Sequence, residues 1–481
     1  MGEPNGPETA LDSSSGNKLI RSLVDTINSK DPAARLQFSR SKMSELALNE
    51  TPEQKLVAFL QRVYEKSMGI TIMQISQSID PLEVNVRTKQ GNHWARIYIF
   101  RDKVQQGKIR EFGLIPILDP QSEKEQTWPN KKMSMQERLK EVRKHIERLA
   151  SRDVFSGVVL IGLGDKMIFK KSVGYAEKSF QVPNKVDTKF NLGSMNKMFT
   201  SIAVSQLVQA GRLSFKDELA RILPEYPNKE AAHKITIYNL LTHTAGLGML
   251  FDRPAYDRCK KYQTQADYFP IFANERLLFE PGSLFSYSNE GYVVLGAAIE
   301  KISGENYHDY VRQNIFKPAG MHQTDAYTLD EVTPNLAVGY GRFEDDPFGI
   351  DPRRPNFMFL GWRGNAAGGG YSTAPDLYRF ANALRTYKLL NRELTEIITT
   401  KQGFRRSQER NYGYGFETME IAGKKIVGHS GGGTNSGVNS DLKIFLDGTY
   451  TVAVLGNYDA PAAQDLSSGI TEFLAKQQNY A

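Results

Sequence analysis

One cysteine, Cys259, stands in a chain of 481 residues. Its solitude excludes an internal disulfide and any cysteine-based zinc cluster. The seven histidines show no H-E-x-x-H and no other ligand spacing, so neither a metal nor another cofactor is expected. Long apolar runs are lacking too: Val158 to Leu163 is typical of the longest, far below the roughly 18 residues of a membrane-spanning helix. No integral membrane segment is expected. Charge of one sign is also scarce. Lys and Arg number 61 against 54 Asp and Glu, a net +7, and no cluster of five or six like charges appears. A mixed solvated surface explains this better than nucleic-acid binding. The N-terminus has neither the basic nor the apolar region of an export signal, and Gly6 breaks the myristoylation pattern. Either a cytoplasmic protein or one whose export signal has been removed is expected.

What remains is a globular composition, 40% hydrophobic and 24% charged, with length for two or three domains. Residues 1–17 are rich in Gly, Pro, Ser and Asn and read as a disordered tail. Residues 18–118 read as a small α+β accessory domain: helical stretches near Leu19–Ile27 and Pro52–Tyr64, then strands at Thr71–Ser76, Glu83–Thr88, Trp94–Phe100 and Glu111–Ile117. The turn Lys89-Gln90-Gly91-Asn92 suits a hairpin. By this pattern the module resembles the cystatin- or NTF2-like domains that precede some bacterial serine hydrolases.

The polar stretch 119–133, with Pro120 and Pro129, reads as a linker. Residues 134–481 then open on a capping box, Ser134 to Glu137, and a helix with Met135, Leu139, Val142, Ile146 and Leu149 at helical spacing. Strands at Gly157–Ile161 and Met167–Val173 follow, with a turn at Gly164-Asp165. Near the other end, Leu442–Leu446 and Tyr450–Leu455 flank Asp447-Gly448, and a helix covers Ala463–Lys476. The pattern predicts a sheet built from both ends of this region with a helical subdomain inserted between.

The strongest chemical signal is Ser194-Met195-Asn196-Lys197, followed by the apolar stretch Met198–Val208. A Ser and a Lys three apart share one helix face, about 5–6 Å between side-chain bases. Tyr287-Ser288-Asn289 lies 287 − 194 = 93 residues on, and His429-Ser430-Gly431-Gly432 lies 429 − 194 = 235 residues on. Supporting stretches are Leu240-Leu241-Thr242-His243-Thr244-Ala245-Gly246-Leu247, Gly368-Gly369-Gly370-Tyr371 and Tyr412-Gly413-Tyr414-Gly415-Phe416. In order, spacing and flanks these boxes resemble the class C β-lactamase-related serine hydrolases, which include family VIII carboxylesterases and D-stereospecific peptidases.

The resemblance implies an α+β, β-lactamase/transpeptidase-like fold over residues 134–481, an antiparallel sheet flanked by helices plus a helical subdomain. It also implies roles. Ser194 is expected as the acylated nucleophile, with Lys197 and Tyr287 sharing its proton and Tyr287 the expected general base. Asn289 is expected to orient Lys197 and the substrate. His429, Ser430, Gly431 and Gly432 are expected to line the substrate strand, with the N–H groups of Ser194 and Gly432 as the oxyanion hole. The third box departs from the commoner form, which has Lys where this chain has His429. A histidine carries less positive charge near neutral pH, which shifts the expectation from β-lactams toward esters. The alternatives are a D-amino-acid peptidase or DD-carboxypeptidase, a β-lactamase, and a penicillin-binding-like protein with little turnover. Gly428-His429-Ser430-Gly431-Gly432 also fits G-x-S-x-G, yet no histidine follows His429 to complete that triad. His243 is read as a structural residue bridging loop backbone. The expected partners are a small-molecule ester or peptide and, through the N-terminal module, a second copy. The resemblance implies a bacterial protein in an extracytoplasmic location, which the absent signal leaves open.

Overall fold

The computed structural model describes residues 13–78, 80–117, 119–120, 128–250, 256–342, 346, 348–402, 411–433 and 436–478. Residues 1–12 of the expected tail and 121–127 of the expected linker lie outside these residues. The chain forms two compact units, one of residues 1–127 with 344–352 and one of 128–343 with 353–481.

In the first unit, α1 (Ser13–Asn28) begins inside the stretch read as tail. Its apolar face of Leu19, Ile20, Leu23, Val24 and Ile27 is buried, and that burial carries the helix back over the polar residues before it. Two further helices, α2 (Pro32–Lys42) and α3 (Glu45–Glu50), precede α4 (Glu53–Ser67). They escaped prediction because α3 is barely longer than one turn and α2 buries only Arg35, Phe38 and Ser39, too few for a periodic stripe. Both are capped: Asp31 accepts from the Ala33 N–H and Ser44 from that of Ala47. Strands β1 (Ile70–Ile75), β2 (Leu82–Thr88), β3 (Trp94–Arg101) and β4 (Ile109–Ile117) pair antiparallel in sequence order. Leu82, Val84 and Val86 alternate inward on β2 and meet the helices. The β2–β3 hairpin turns where Gly91 and Asn92 take positive φ. Phe348, from the distant segment 344–352, is buried in this core, and Asp351 pairs with Lys66.

The second unit is built on a seven-stranded antiparallel sheet. Helix α5 (Met135–Ser151) starts at the Ser134–Glu137 capping box and leads into β5 (Gly157–Leu163) and β6 (Lys166–Val173). The other strands come from the far end: β7 (Asn411–Tyr412), β8 (Glu417–Ile421), β9 (Lys424–Gly432), β10 (Asn439–Phe445) and β11 (Tyr450–Gly456). Their spatial order is β7-β8-β9-β10-β11-β5-β6, so the two chain ends meet at β11 and β5, Gly456 opposite Gly157 and Tyr450 opposite Leu163. Side-chain alternation divides the strands between two cores. Val159, Ile161, Ile426, Phe445 and Val452 pack with α5 and the last helix, α9 (Ala462–Gln478). Val158, Leu160, Val427, Leu442 and Ile444 face the opposite way, toward α6 (Asn196–Gln209), α7 (Asn289–Ser303) and α8 (Ala374–Arg385). Each fully buried Val or Leu contributes about 1.5–3 kcal/mol to that packing. Among the described residues no helix is long and apolar enough to cross a membrane.

Candidate active site

Ser194 sits in a single 3-10 turn, Gly193–Met195, that runs directly into α6. Gly193 has φ +50, and a Cβ there would fall 2.3 Å from the Gly432 nitrogen, so only glycine lets the turn lie against β9. Helix α6 is buried from Asn196 through Ser205, which explains why its sequence has no polar face. Lys197, one turn beyond Ser194, is fully buried. Its Nζ lies 3.2 Å from Ser194 Oγ, 2.7 Å from Asn289 Oδ1 and 2.6 Å from the Ala367 carbonyl oxygen. The rings of Tyr287 and Tyr292 flank it, at 4.8 and 5.4 Å to the centroids.

The second box straddles a helix start. Ser288 N-caps α7, accepting from the Gly291 N–H at 3.0 Å and donating to the Gly248 carbonyl at 2.9 Å. Asn289 is thereby the first residue of the helix, within reach of Lys197, while half-buried Tyr287 precedes the cap. The separation of 92 residues between Lys197 and Asn289 closes through packing of α7 on α6.

The third box is the end of β9. Gly431 runs so close to the nucleophile turn that a Cβ would lie 1.8 Å from the Leu192 carbonyl oxygen, which also accepts from Ser440 Oγ at 2.8 Å. Gly432, exposed and at φ +99, follows. His429 is fully buried with both ring nitrogens engaged: Nδ1 faces the Ser430 carbonyl, and Nε2 is 3.0 Å from the Tyr412 hydroxyl. Its ring centroid is 6.4 Å from that of Tyr287. Ser430 alternates to the opposite sheet face and donates to Glu417 at 3.1 Å. Beneath it Lys443 lies 2.7 Å from Asp441 and 3.9 Å from Glu417, all three fully buried.

The structure thus brings Ser194, Lys197, Tyr287, Asn289, His429, Gly431 and Gly432 together, and it commits the Ser430 hydroxyl to the far side of the strand. Three contributors were absent from the sequence reading as site members. The Ala367 carbonyl is a backbone group without a side-chain signature. Tyr412 stood in the Tyr-Gly-Tyr-Gly-Phe stretch, and Tyr292 lies one turn along α7 from Asn289. Burial pushes the Tyr292 hydroxyl's pKa far up, so it stays protonated and donates to the Leu241 carbonyl at 2.9 Å. Among the described residues no group of three His, Cys, Asp or Glu side chains could hold a metal ion.

A family model described as Beta-lactamase matches residues 142–474, more than half the chain. The chain belongs to the beta-lactamase family. Penicillin-binding protein 4* of Bacillus subtilis is 30% identical over 332 residues, covering 66% of this chain and 72% of that protein. The putative penicillin-binding protein PbpX of the same organism is 32% identical over 263 residues, 54% of this chain, which spans only 62% of PbpX. The crystal structure of a penicillin-binding protein from Bacillus halodurans matches 68% of this chain and 98% of its own, with 30% identity and a TM-score of 0.60. The second unit therefore has the β-lactamase/penicillin-binding-protein fold, and the chain is a serine hydrolase of that family.

Proposed function

We propose that this beta-lactamase-family protein hydrolyses uncharged carboxylic esters through an acyl-enzyme on Ser194. The observation that carries the ester preference is the state of His429. Buried and engaged at both nitrogens, it offers no N–H to a substrate carboxylate, the group that β-lactams and the C-terminal ends of D-peptides present. Glu290, beside the second box, is buried and accepts from the Gly248 N–H, so it gives no anionic seat for the ammonium of an amino-acid amide.

The contacts of Lys197 support the proton path. Asn289 Oδ1 and the Ala367 carbonyl only accept, so they take two N–H bonds. The third direction points at Ser194: a neutral amine turns its lone pair there and receives the hydroxyl proton, and the resulting ammonium donates back. Ser194 Oγ then bonds to the acyl carbon while its proton passes to the Lys197–Tyr287 pair. That pair returns a proton to the departing alkoxide, Tyr287 acting next to the leaving group. Water repeats the sequence on the acyl-enzyme and releases the acid. The N–H groups of Ser194 and Gly432 hold the carbonyl oxygen as it gains charge.

The test is mass spectrometry of the intact protein with p-nitrophenyl acetate and butyrate, product release followed in parallel, with Ser194→Ala as control. Steady ester turnover lost in Ser194→Ala, with far lower kcat/KM on a cephalosporin and a D-alanyl-D-alanine peptide, is expected. A stable adduct without turnover favours the penicillin-binding-like alternative, and faster cleavage of either carboxylate-bearing substrate refutes the ester reading.

A further inference from the structure

His243 lies on the loop after the short helix Ile237–Leu241 and is 1% exposed. Its backbone takes the left-handed conformation at φ +58, which a non-glycine residue adopts at a cost. That conformation turns its carbonyl and its ring toward one segment. The carbonyl accepts from the Ser286 N–H at 2.9 Å, and ring Nδ1 accepts from the Ser288 N–H at 3.0 Å. Since an N–H donates to Nδ1, the hydrogen of the ring is on Nε2. The two residues that flank Tyr287 are thus tied to one histidine. Its imidazole also lies against the Tyr287 ring, centroids 4.3 Å apart, while Tyr412 at 4.7 Å, Tyr292 at 5.1 Å and Phe285 at 5.7 Å surround it.

We propose that His243 is the positioning residue for Tyr287: it fixes the phenol so that its hydroxyl meets the leaving-group oxygen. This rests on the esterase reading above. A histidine that merely stapled the loop would lower stability and slow every substrate alike. Removing one that places Tyr287 slows proton uptake from Ser194 for every ester and adds a further loss where the leaving group needs a proton. A p-nitrophenolate departs without one, whereas an alkoxide must be protonated as its bond to the acyl carbon breaks.

Two variants separate these roles. His243→Gly keeps the left-handed backbone but removes both ring and acceptor, and His243→Asn keeps the backbone and offers Oδ1 in place of Nδ1. We would measure kcat and KM on p-nitrophenyl butyrate and ethyl butyrate for wild type, both variants, Tyr287→Phe and the combined His243→Gly/Tyr287→Phe, with melting curves alongside. His243→Gly is expected to lower kcat on ethyl butyrate about tenfold more than on the p-nitrophenyl ester, part of the roughly 10²–10⁴ that a placed acid supplies. KM should stay near wild type, His243→Asn should recover part of the loss, and His243→Gly should cost nothing more on the Tyr287→Phe background. If the glycine variant fails to fold, the asparagine variant carries the same test, with a smaller loss of the same leaving-group bias. Equal losses on both esters, losses that add to those of Tyr287→Phe, or a Tyr287→Phe enzyme as fast as wild type would overturn the proposal. A wild type that cleaves neither ester overturns the esterase reading itself, and with it this inference.

Discussion

Replacing Lys443 by Met tests how the strand behind the candidate site is held. Lys443, Asp441 and Glu417 have no exposed surface, and the ammonium lies 2.7 Å from one carboxylate and 3.9 Å from the other. Met nearly matches the lysine stem in volume, so the perturbation is electrostatic rather than steric. It leaves two carboxylates in a space that water does not reach, and breaking a buried pair in this way costs about 3–5 kcal/mol. At about 2 °C per kcal/mol for a large domain, the melting transition of the catalytic unit should fall by roughly 6–10 °C. Calorimetry or circular dichroism at pH 7 reads this directly. Adding Asp441→Asn to Lys443→Met removes one stranded charge and should restore part of the loss, giving a non-additive pair. Ester turnover at a temperature where the variant is folded should drop as well, because Ser430 hangs from Glu417 and the next two residues are Gly431 and Gly432. A Lys443→Met transition within about 2 °C of wild type, or an exact sum for the double variant, would refute the claim that this ion cluster is held together by its lysine.

Gly431→Ala should lower kcat on p-nitrophenyl esters by about 10²–10³ with the fold retained, since its Cβ would strike the Leu192 carbonyl and drive the oxyanion strand from the nucleophile turn; near-normal kcat would show that β9 does not line the reacting carbonyl. Burial, with Arg363 and Arg312 beyond it, holds the His308 pKa well below the ordinary histidine value. The unfolded chain takes up this proton below about pH 6.5 and the folded one does not, so stability is present above that pH and falls by up to about 1.4 kcal/mol per pH unit below it. Urea midpoints between pH 7.5 and 5.5 should show that slope flattened in His308→Asn, and an unchanged slope would exclude the assignment.

How far the site could be read in advance depended on whether each contact was local. Ser194 and Lys197 meet because one helical turn separates them, and three residues on a helix are visible in any sequence. Four strands of the long sheet, β5, β6, β10 and β11, declared themselves by apolar runs and by the Asp447-Gly448 turn, whereas the short β7 and the more polar β8 gave no such signal. Gly431 and Gly432 were expected to line the substrate strand, but the sequence did not show that Gly431 and Gly193 also pass hard against backbone. Nothing comparable marked the Ala367 carbonyl, 170 residues from Lys197, since every residue has a carbonyl. The place of Ser430 is a matter of alternation: neighbours on one strand face opposite sides, so His429 and Ser430 do not both point into the site as the box suggested. Phe348 escaped for a related reason. A single aromatic between Pro347 and Gly349 has no period, and its place in the N-terminal core is a tertiary fact.

The pairing of β5 with β11 has a consequence in time as well as in space. During synthesis the strand that precedes the nucleophile is made almost three hundred residues before the partner that completes its sheet, Tyr450–Gly456. Contacts of such sequence separation close late and slowly. A ribosome-bound chain therefore carries both Ser194 and Lys197 while the strand with Gly432 is still in the tunnel or unmade. Reactivity of Ser194 toward an acylating probe should consequently switch on in one step, once Tyr450–Gly456 has been made and has paired with β5, and serve as a reporter of completed folding rather than of the nucleophile's presence.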